Sequence, residues 1–509
     1  MPVDNKRIAK NTMILYFRQI IVMIVGLYTS RVILQSLGVV DYGIYGVVGG
    51  VVGFMGFLNA TLSTSSSRFI TYALGEGDIE KSKRTFSTTL TVHVLLGLSI
   101  LILGEIVGVY MIYNQLNIPV ERLTSALIAF QFSMFTMAIG ISQVPYSACL
   151  LSHEDFSLVA YVAIWDVVAR LLIAWGIMIY GGDKLILFAG LLFANSVGVM
   201  FFYRFYCAHK YKEAIFKLRI DKEIFRKIAT FSGWNFIYQF VYTLNAEGTT
   251  ILIGMFFNPA VVAAKTISVK VNTMTTQFIG QFRAASAPQI VKNYAQHDMR
   301  SFKQLLMASG KYSFFIMWIM TLPICILCSP LLKLWLGNVP DYSVIFVQLI
   351  MIDSLFWLFD VSFNQGIIAT GKMKKNTIYS SLANFLRFPI VYFFFKLGFS
   401  PVSSFIISIC FGALIGCIIK PMIIINMIDG FKFKDFLKVY VNCWFVAGAS
   451  AIIPFLISLA VDKETIFGFI LIGLFSVISA VVVIYSFGID KSMRLKVNNY
   501  MMCKIKALR

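Results

Sequence analysis

Apolar runs of about 20 residues, separated by short polar segments, recur along the whole chain. A helix of this length spans the hydrocarbon core of a bilayer, because each residue adds about 1.5 Å. We predict fourteen transmembrane helices, near residues 12–36, 42–62, 86–113, 123–149, 157–180, 185–206, 231–257, 260–286, 309–331, 342–368, 377–395, 401–425, 439–460 and 465–487. The pattern therefore predicts an all-α polytopic membrane protein.

The longest polar interval, 207–230, follows the sixth predicted helix. Lysines and arginines alternate there with apolar residues, as is typical of a basic amphipathic helix on a membrane surface, and a plain linker is compatible with the same pattern. At a shift of 220 residues Asp78 falls on Asp298, which favours two pseudo-symmetric halves. We therefore predict a six-helix bundle at 1–206, the basic cytoplasmic linker at 207–230, a second six-helix bundle at 231–426, and helices 13 and 14 with a basic tail at 427–509.

The charge balance supports this organisation and indicates its orientation. Hydrophobic residues make up 58% of the 509 residues and charged residues only 13%, whereas soluble proteins are about a quarter charged. If the N-terminus is cytoplasmic, 33 lysines and arginines lie on the inner side and 5 on the outer side. Cytoplasmic loops carry such an excess, so we predict that both termini are cytoplasmic. The same distribution accounts for most of the net charge of +20 without nucleic acid as a partner.

Several kinds of chemistry find no support in the sequence. Cys325 and Cys328 form a lone pair with no second pair, and the four histidines are far apart, so we predict no metal site. There is no Walker sequence for ATP hydrolysis, and the predicted outer loops are too short for a catalytic domain. We accordingly predict no catalytic residues and no cofactor.

Charged and polar residues inside the predicted helices are the main functional signal, because charge in a bilayer is costly. Cations in a membrane cavity suit an anionic substrate, above all phosphate or pyrophosphate. For residues near helix ends, extension of the side chain to the interface is the alternative. The candidate substrate-binding residues are Arg18 and Arg31 in the first predicted helix, Asn235 and Gln239 in the seventh, and Lys265 and Lys270 in the eighth.

Carboxylates inside the predicted helices suit ion coupling, because they can bind H⁺ or Na⁺. The candidates are Glu247 in the seventh predicted helix and Asp353 and Asp360, which lie seven residues apart on one face of the tenth. Asp166 and Arg170 lie one helical turn apart, and we interpret them as a structural ion pair.

Glycines recur along the second predicted helix. Gly46 with Gly50, and Gly49 with Gly53, form two GxxxG pairs, which allow helix backbones to approach closely in lipid. Static packing is the simpler interpretation, and a seam that slides during a transport cycle is the alternative.

Three stretches carry a family resemblance. The opening run from Arg7 to Asp78, the sequence QVPYSACLLSHEDFSLVAYVAIWDVVARLL at 143–172 and the turn GKMKKN at 371–376 resemble the bacterial polysaccharide flippases. These export O-antigen or capsule repeat units and belong to the multidrug/oligosaccharidyl-lipid/polysaccharide exporter superfamily. The resemblance implies two six-helix bundles in a V that alternate between inward- and outward-open states, with helices 13 and 14 outside.

The resemblance also implies a substrate and site roles. The substrate would be an oligosaccharide on undecaprenyl pyrophosphate, flipped from the cytoplasmic to the periplasmic leaflet of a bacterial inner membrane. Arg18 matches the cavity-lining arginines of lipid-linked-precursor flippases, and Glu247, Asp353 and Asp360 resemble the cation-binding acids of some drug exporters. Unlike drug exporters of another class, the chain has no acid in its first predicted helix.

Anionic lipids of the inner membrane and a polysaccharide polymerase or export machinery are the further candidate partners. Three alternatives stay open. A cation-coupled multidrug exporter would have a cavity dominated by acids and aromatic residues. A flippase for the peptidoglycan precursor would differ in substrate. A membrane-embedded acyl- or glycosyltransferase would need a catalytic loop.

Overall fold

The chain is predominantly helical in the part that the structure, a computed structural model, describes. That part comprises residues 5–57, 66, 69–74, 76–153, 155–214, 217–370, 373–489 and 494. The main helices are α1 (Asn5–Met55), α2 (Ile79–Asn114), α3 (Leu123–Ser152), α4 (Phe156–Ile179), α5 (Lys184–Lys210), α6 (Lys222–Thr243), α7 (Thr249–Phe256), α8 (Pro259–Ala295), α9 (Met299–Ile326), α10 (Cys328–Leu336), α11 (Ser343–Thr370), α12 (Met373–Lys396), α13 (Ser403–Ala413), α14 (Lys420–Met427), α15 (Phe433–Ala460) and α16 (Ile466–Val483).

The long helix α1 contains a break at Gly38. Its φ of 76° and ψ of 171° are not helical, and a positive φ is accessible at little cost only to glycine. The break falls between the first two predicted transmembrane helices. Two predicted spans therefore correspond to the two parts of α1.

Eleven segments of the described residues are long and apolar enough to cross a membrane. One of them, Met23–Met55, includes the break at Gly38. Two further predicted spans, the seventh and eighth, correspond to α6–α7 and to α8, which carry more polar residues. The prediction of an all-α, multi-pass membrane protein is confirmed.

Three short π-helical turns interrupt the spanning helices at Leu244–Gly248, Leu414–Ile419 and Ile484–Gly488. The first joins α6 to α7 and the second joins α13 to α14. In a turn of this kind the backbone hydrogen bonds span five residues instead of four, and such turns occur often at functional sites. The first of them contains Glu247, and Lys420 directly follows the second.

The described residues pack into two compact units. Unit 1 comprises Met1–Thr266, Trp335–Asp341 and Tyr392–Gly398, and unit 2 comprises Ile267–Leu334, Tyr342–Val391 and Phe399–Arg509. The division falls within α8 and not at the polar interval 207–230. The predicted boundaries concern a pseudo-symmetric repeat, which packing density does not measure, and they stay a prediction.

The interpretation of 207–230 as one amphipathic helix is wrong. Helix α5 ends at Lys210, and a new helix starts at Lys222 with Asp221 as its N-cap, which accepts hydrogen bonds from the backbone N–H groups of residues 223 and 224. The backbone before it is bound to α2: Arg219 N donates to Thr91 Oγ1 at 2.9 Å and Asp221 N to Thr88 Oγ1 at 3.0 Å. These donors cannot also form helical hydrogen bonds, so the segment is extended there.

A charged cluster around Arg122 joins three elements of unit 1. Its guanidinium donates to both carboxylate oxygens of Asp41 in α1, at 2.8 and 2.6 Å, and to both of Asp183 before α5, at 2.9 and 3.2 Å. Ser125 Oγ donates to Asp183 at 2.5 Å. Only a planar guanidinium can bind two carboxylates in this forked geometry.

Replacement of Arg122 by Lys should therefore destabilise unit 1. A lysine cannot make both bidentate contacts, and we expect a loss of about 1–3 kcal/mol, which thermal unfolding in detergent will measure. Lys227→Ala is the control, because its pair with Glu223 is exposed on both sides and such pairs contribute little. Equal melting temperatures for R122K and wild type would contradict a stabilising role for the bidentate contacts of Arg122.

Within this cluster, Asp183 by itself contributes an acid sensitivity. Burial alone would raise the pKa of Asp183, but hydrogen bonds from Ser125 and Arg122 outweigh it and lower the pKa below the ordinary 3.8. Asp183 therefore stabilises the fold fully above that value, and its contribution is lost as the pH falls through the lowered pKa.

Candidate functional site

The glycines of α1 pack in unit 1 against the chain that runs from the first π-helical turn into α8. A Cβ at Gly43 would overlap the carbonyl oxygen of Pro259 and lie 2.5 Å from its carbonyl carbon. A Cβ at Gly46 would lie 2.6 Å from Thr266 Oγ1. Gly43, which precedes the two GxxxG pairs, therefore allows a close approach to backbone, and Gly46 of the first pair allows a close approach to a side chain. In contrast, a Cβ at Gly49 would meet nothing within 4 Å.

Farther along α1, the same row of contacts reaches a carboxylate, Glu247, which interacts with the lysine Lys265. A Cβ at Gly53 would lie 3.2 Å from the carboxyl carbon of Glu247, which is half-buried in the first π-helical turn. Lys265 in α8 is only 8% exposed and interacts electrostatically with Glu247. The structure thus brings together a predicted coupling acid and a predicted substrate cation.

Asp166 and Arg170 form an ion pair in α4. Arg170 Nε donates to Asp166 Oδ2 at 2.9 Å, and Asn195 Nδ2 of α5 donates to the second carboxylate oxygen at 3.0 Å. Both side chains of the pair are more than a third exposed.

The structure places the other predicted substrate-binding residues in several helices. Arg31 in α1 and Gln239 in α6 are half-buried in unit 1, and Lys270 in α8 is half-buried in unit 2. Arg18 and Asn235 lie within α1 and α6, but their side chains are outside the described part of the chain.

In unit 2, Asp353 and Asp360 share one face of α11 but have different partners. Ser408 Oγ of α13 donates to Asp353 Oδ2 at 2.7 Å. Lys420 Nζ of α14 lies 3.0 Å from Asp360 Oδ1. The carboxyl group of Asp360 is therefore neutralised inside unit 2 by a residue that is 60 positions away in the sequence.

Lys420 is a candidate functional residue that sequence reasoning missed. It lies within the predicted span 401–425, five residues before its end, and is one of the 33 inner lysines and arginines. In the structure Lys420 is 3% exposed and lies at the start of α14. A lysine near the end of an apolar run gives no signal by itself of whether its side chain is buried.

The ammonium of Lys420 has three donors, and three side-chain oxygens surround it. Besides Asp360, Asn364 Oδ1 lies at 3.1 Å and Asn376 Oδ1 at 2.6 Å. Asn376 Nδ2 in turn donates to Asn364 Oδ1 at 2.9 Å. This network is satisfied, and an ion that binds to Asp360 must compete with Lys420.

Each unit thus holds a carboxylate that interacts with a buried lysine beside a π-helical turn. Such an arrangement can exchange counter-ions: protonation of the acid, or binding of a cation to it, changes the net charge of the pair. It can also present the lysine to an anion when the acid is neutral.

No family model matches the chain, and no curated protein sequence matches it. Solved structures do match. The lipid II flippase MurJ, in an inward closed conformation, superposes with a TM-score of 0.70 at 14% identity, covering 94% of this chain and 98% of MurJ. A multidrug resistance MATE family transporter of the MOP superfamily, in an inward-facing conformation, gives 0.65 at 15% identity and covers 83% and 95%.

A third structure is a MOP superfamily transporter from Pyrococcus furiosus, described as having a binding pocket of reverse polarity. It gives a TM-score of 0.58 at 16% identity and covers 82% of this chain and 95% of its own. At these identities the likeness concerns the fold. The chain therefore has the fold of the MATE transporters of the MOP superfamily and of the flippase MurJ, as the resemblance implied.

Proposed function

We propose that the chain is a secondary transporter that flips an anionic, lipid-linked oligosaccharide across a membrane by alternating access. The carrying observation is the set of cations within its spanning helices, with Lys265 buried and Arg31 and Lys270 half-buried. The fold, shared over 94% of this chain with a lipid II flippase, supports the proposal. The substrate that the sequence resemblance implies is an oligosaccharide on undecaprenyl pyrophosphate.

In this mechanism Arg18, Arg31, Lys265 and Lys270 partly neutralise the pyrophosphate. Polar groups such as Asn235 and Gln239 solvate the sugars, and the lipid tail stays in the bilayer. The loaded carrier crosses near electroneutrality. The empty, cationic carrier is drawn back by the inside-negative potential, which contributes about 2.3 kcal/mol per charge per 100 mV.

Carboxylates supply the coupling in the proposal. H⁺ or Na⁺ at Glu247, Asp353 or Asp360 biases the return of the empty carrier. The contacts of the three acids differ: Glu247 interacts with Lys265, Asp353 accepts from Ser408, and Asp360 is bound to Lys420. An ion at Asp360 therefore requires Lys420 to move, whereas an ion at Asp353 replaces only the hydrogen bond from Ser408.

The charge asymmetry of the loops supports a bacterial inner membrane location with both termini in the cytoplasm. It also supports contact with anionic lipids on that side. A polysaccharide polymerase or export machinery would receive the flipped product.

The proposal predicts that loss of a cation in the helices slows flipping. The assay uses proteoliposomes with a fluorescent undecaprenyl-diphosphate oligosaccharide and measures the rate at which this substrate becomes accessible to a quencher. R18A and K265Q should lower that rate at least tenfold, because the diphosphate loses a counter-charge. K227Q is the control, since Lys227 is 61% exposed in a surface ion pair. Wild-type rates in both R18A and K265Q, at equal protein incorporation, would exclude these cations from the mechanism.

A cation-coupled multidrug exporter is the second candidate, supported by the likeness to a multidrug resistance MATE transporter and by the carboxylates Glu247, Asp353 and Asp360. Efflux of a cationic dye from the same proteoliposomes, driven by an H⁺ or Na⁺ gradient, distinguishes it. A peptidoglycan-precursor flippase would transport a lipid II analogue in preference to the oligosaccharide substrate.

A further inference from the structure

Three different metal-ligating side chains meet at one end of α3. Cys149 lies in the last turn of α3, His153 is the C-cap of the same helix, and Glu213 comes from the segment that follows α5. Their ligand atoms lie within 4.8 Å of one another. The mechanism proposed above uses none of them. We propose that this cluster is a binding site for Zn²⁺ or a similar divalent transition-metal ion.

One ligand distance fits tetrahedral coordination as it stands, and a second fits after a small shift. With Zn–S near 2.3 Å and Zn–O near 2.0 Å, sulfur and oxygen ligands of one zinc ion lie about 3.5 Å apart. Cys149 Sγ and Glu213 Oε1 are 3.6 Å apart. Two nitrogen and oxygen ligands would be separated by about 3.3 Å, and His153 Nε2 lies 2.5 Å from the same carboxylate oxygen. The ring therefore needs to move by less than 1 Å.

The surroundings hold the ligands in place. The His153 ring stacks on Tyr211 with centroids 4.2 Å apart and an angle of 14°. Asp155 accepts hydrogen bonds from the Tyr211 hydroxyl at 3.1 Å and from Lys210 Nζ at 2.7 Å, which fixes the end of α5 against the end of α3. A ligand set supported in this way loses little freedom when an ion binds.

The charge balance also favours a cation. Cys149 is fully buried and the side chain of Glu213 is only 9% exposed, and a buried carboxylate needs a positive partner. In the described part of the chain its ion-pair partner is His153, which is cationic only when protonated. A divalent ion supplies that charge with neutral imidazole. His153 is 32% exposed, which leaves a side open for water as the fourth ligand.

The site would join the segment after α5 to the end of α3. This inference does not rest on the proposed transport function. Because all three ligands lie in unit 1, it also does not depend on the arrangement of the two units.

Titration of the purified, chelator-treated full chain with Co²⁺ tests the proposal. Wild type should bind one equivalent and show a thiolate-to-cobalt charge-transfer band, which Zn²⁺ abolishes by displacement. C149S should lose the band, and H153N and E213Q should weaken binding at least tenfold. C207S and C410S are matched controls, one buried and one exposed thiol outside the cluster, and should retain wild-type binding.

Zinc should also raise the melting temperature of wild type and of both controls but not that of C149S. This readout needs only a folded protein, and E213Q keeps the shape of the side chain, so failure to fold does not obscure the result. The proposal is overturned if wild type binds no metal, or if binding is retained in C149S, H153N and E213Q alike.

Discussion

Lys420→Met is expected to destabilise the chain by about 3 kcal/mol and to abolish transport. The substitution leaves the charge of Asp360 without its described partner and removes a donor from Asn364 and Asn376. Removal of one member of a buried ion pair typically costs about 3–5 kcal/mol, and we take the low end because Asp360 is 23% exposed. Thermal unfolding in detergent and the flipping assay measure the two effects.

The double variant D360N/K420M separates the pair from its surroundings. If the two groups interact as the structure shows, removal of both charges should recover most of the stability lost in K420M. Strict additivity of the two single variants would contradict a direct interaction. K333M serves as the control, because the Lys333–Glu464 pair is 58% and 42% exposed, and it should change stability by less than about 0.5 kcal/mol.

The second large effect is a pair of glycine substitutions with opposite signs. Gly43→Ala places a methyl group within the carbonyl group of Pro259, so α1 and the start of α8 must separate. Overpacking costs about 1–3 kcal/mol and more where the obstacle is backbone, which exceeds the helix propensity gained by alanine. We expect a net loss of at least about 2 kcal/mol.

Gly49→Ala is the matched control, in the same helix and two turns away. A Cβ there meets nothing within 4 Å, so only the propensity term applies, and stability should rise by about 0.5–1 kcal/mol. Unfolding of the two variants in the same detergent measures both changes in stability. Similar effects of G43A and G49A would mean that the glycines of α1 do not support a close contact with the start of α8. If G43A is stable but inactive, the contact is part of the transport cycle instead.

Much of the fold is predictable from hydropathy. The predicted span 157–180 corresponds to α4 at Phe156–Ile179, and 465–487 corresponds to α16 and its π-helical extension, which ends at Gly488. A spanning helix satisfies its backbone hydrogen bonds internally, so its position depends mainly on its own sequence. The interval 207–230 is different, because threonines of α2 bind its backbone, and those contacts lie more than 120 positions away in the chain.

The candidate site is likewise only partly predictable from the sequence. The acids Glu247, Asp353 and Asp360 are recognisable because charge within an apolar run is costly. Their partners are not recognisable. Lys420 lies near the end of an apolar run and looks like an interfacial lysine, and only its position beside α11 shows that it neutralises Asp360.

Hydropathy and charge are properties of a local window, and they suffice to predict the membrane class, the helical content and the presence of acids and bases inside the helices. Which acid meets which base, which glycines approach a backbone, and the meeting of Cys149, His153 and Glu213 depend on how the helices pack. Those contacts join residues on different helices. Their distances are decided by packing, which no single window of sequence encodes.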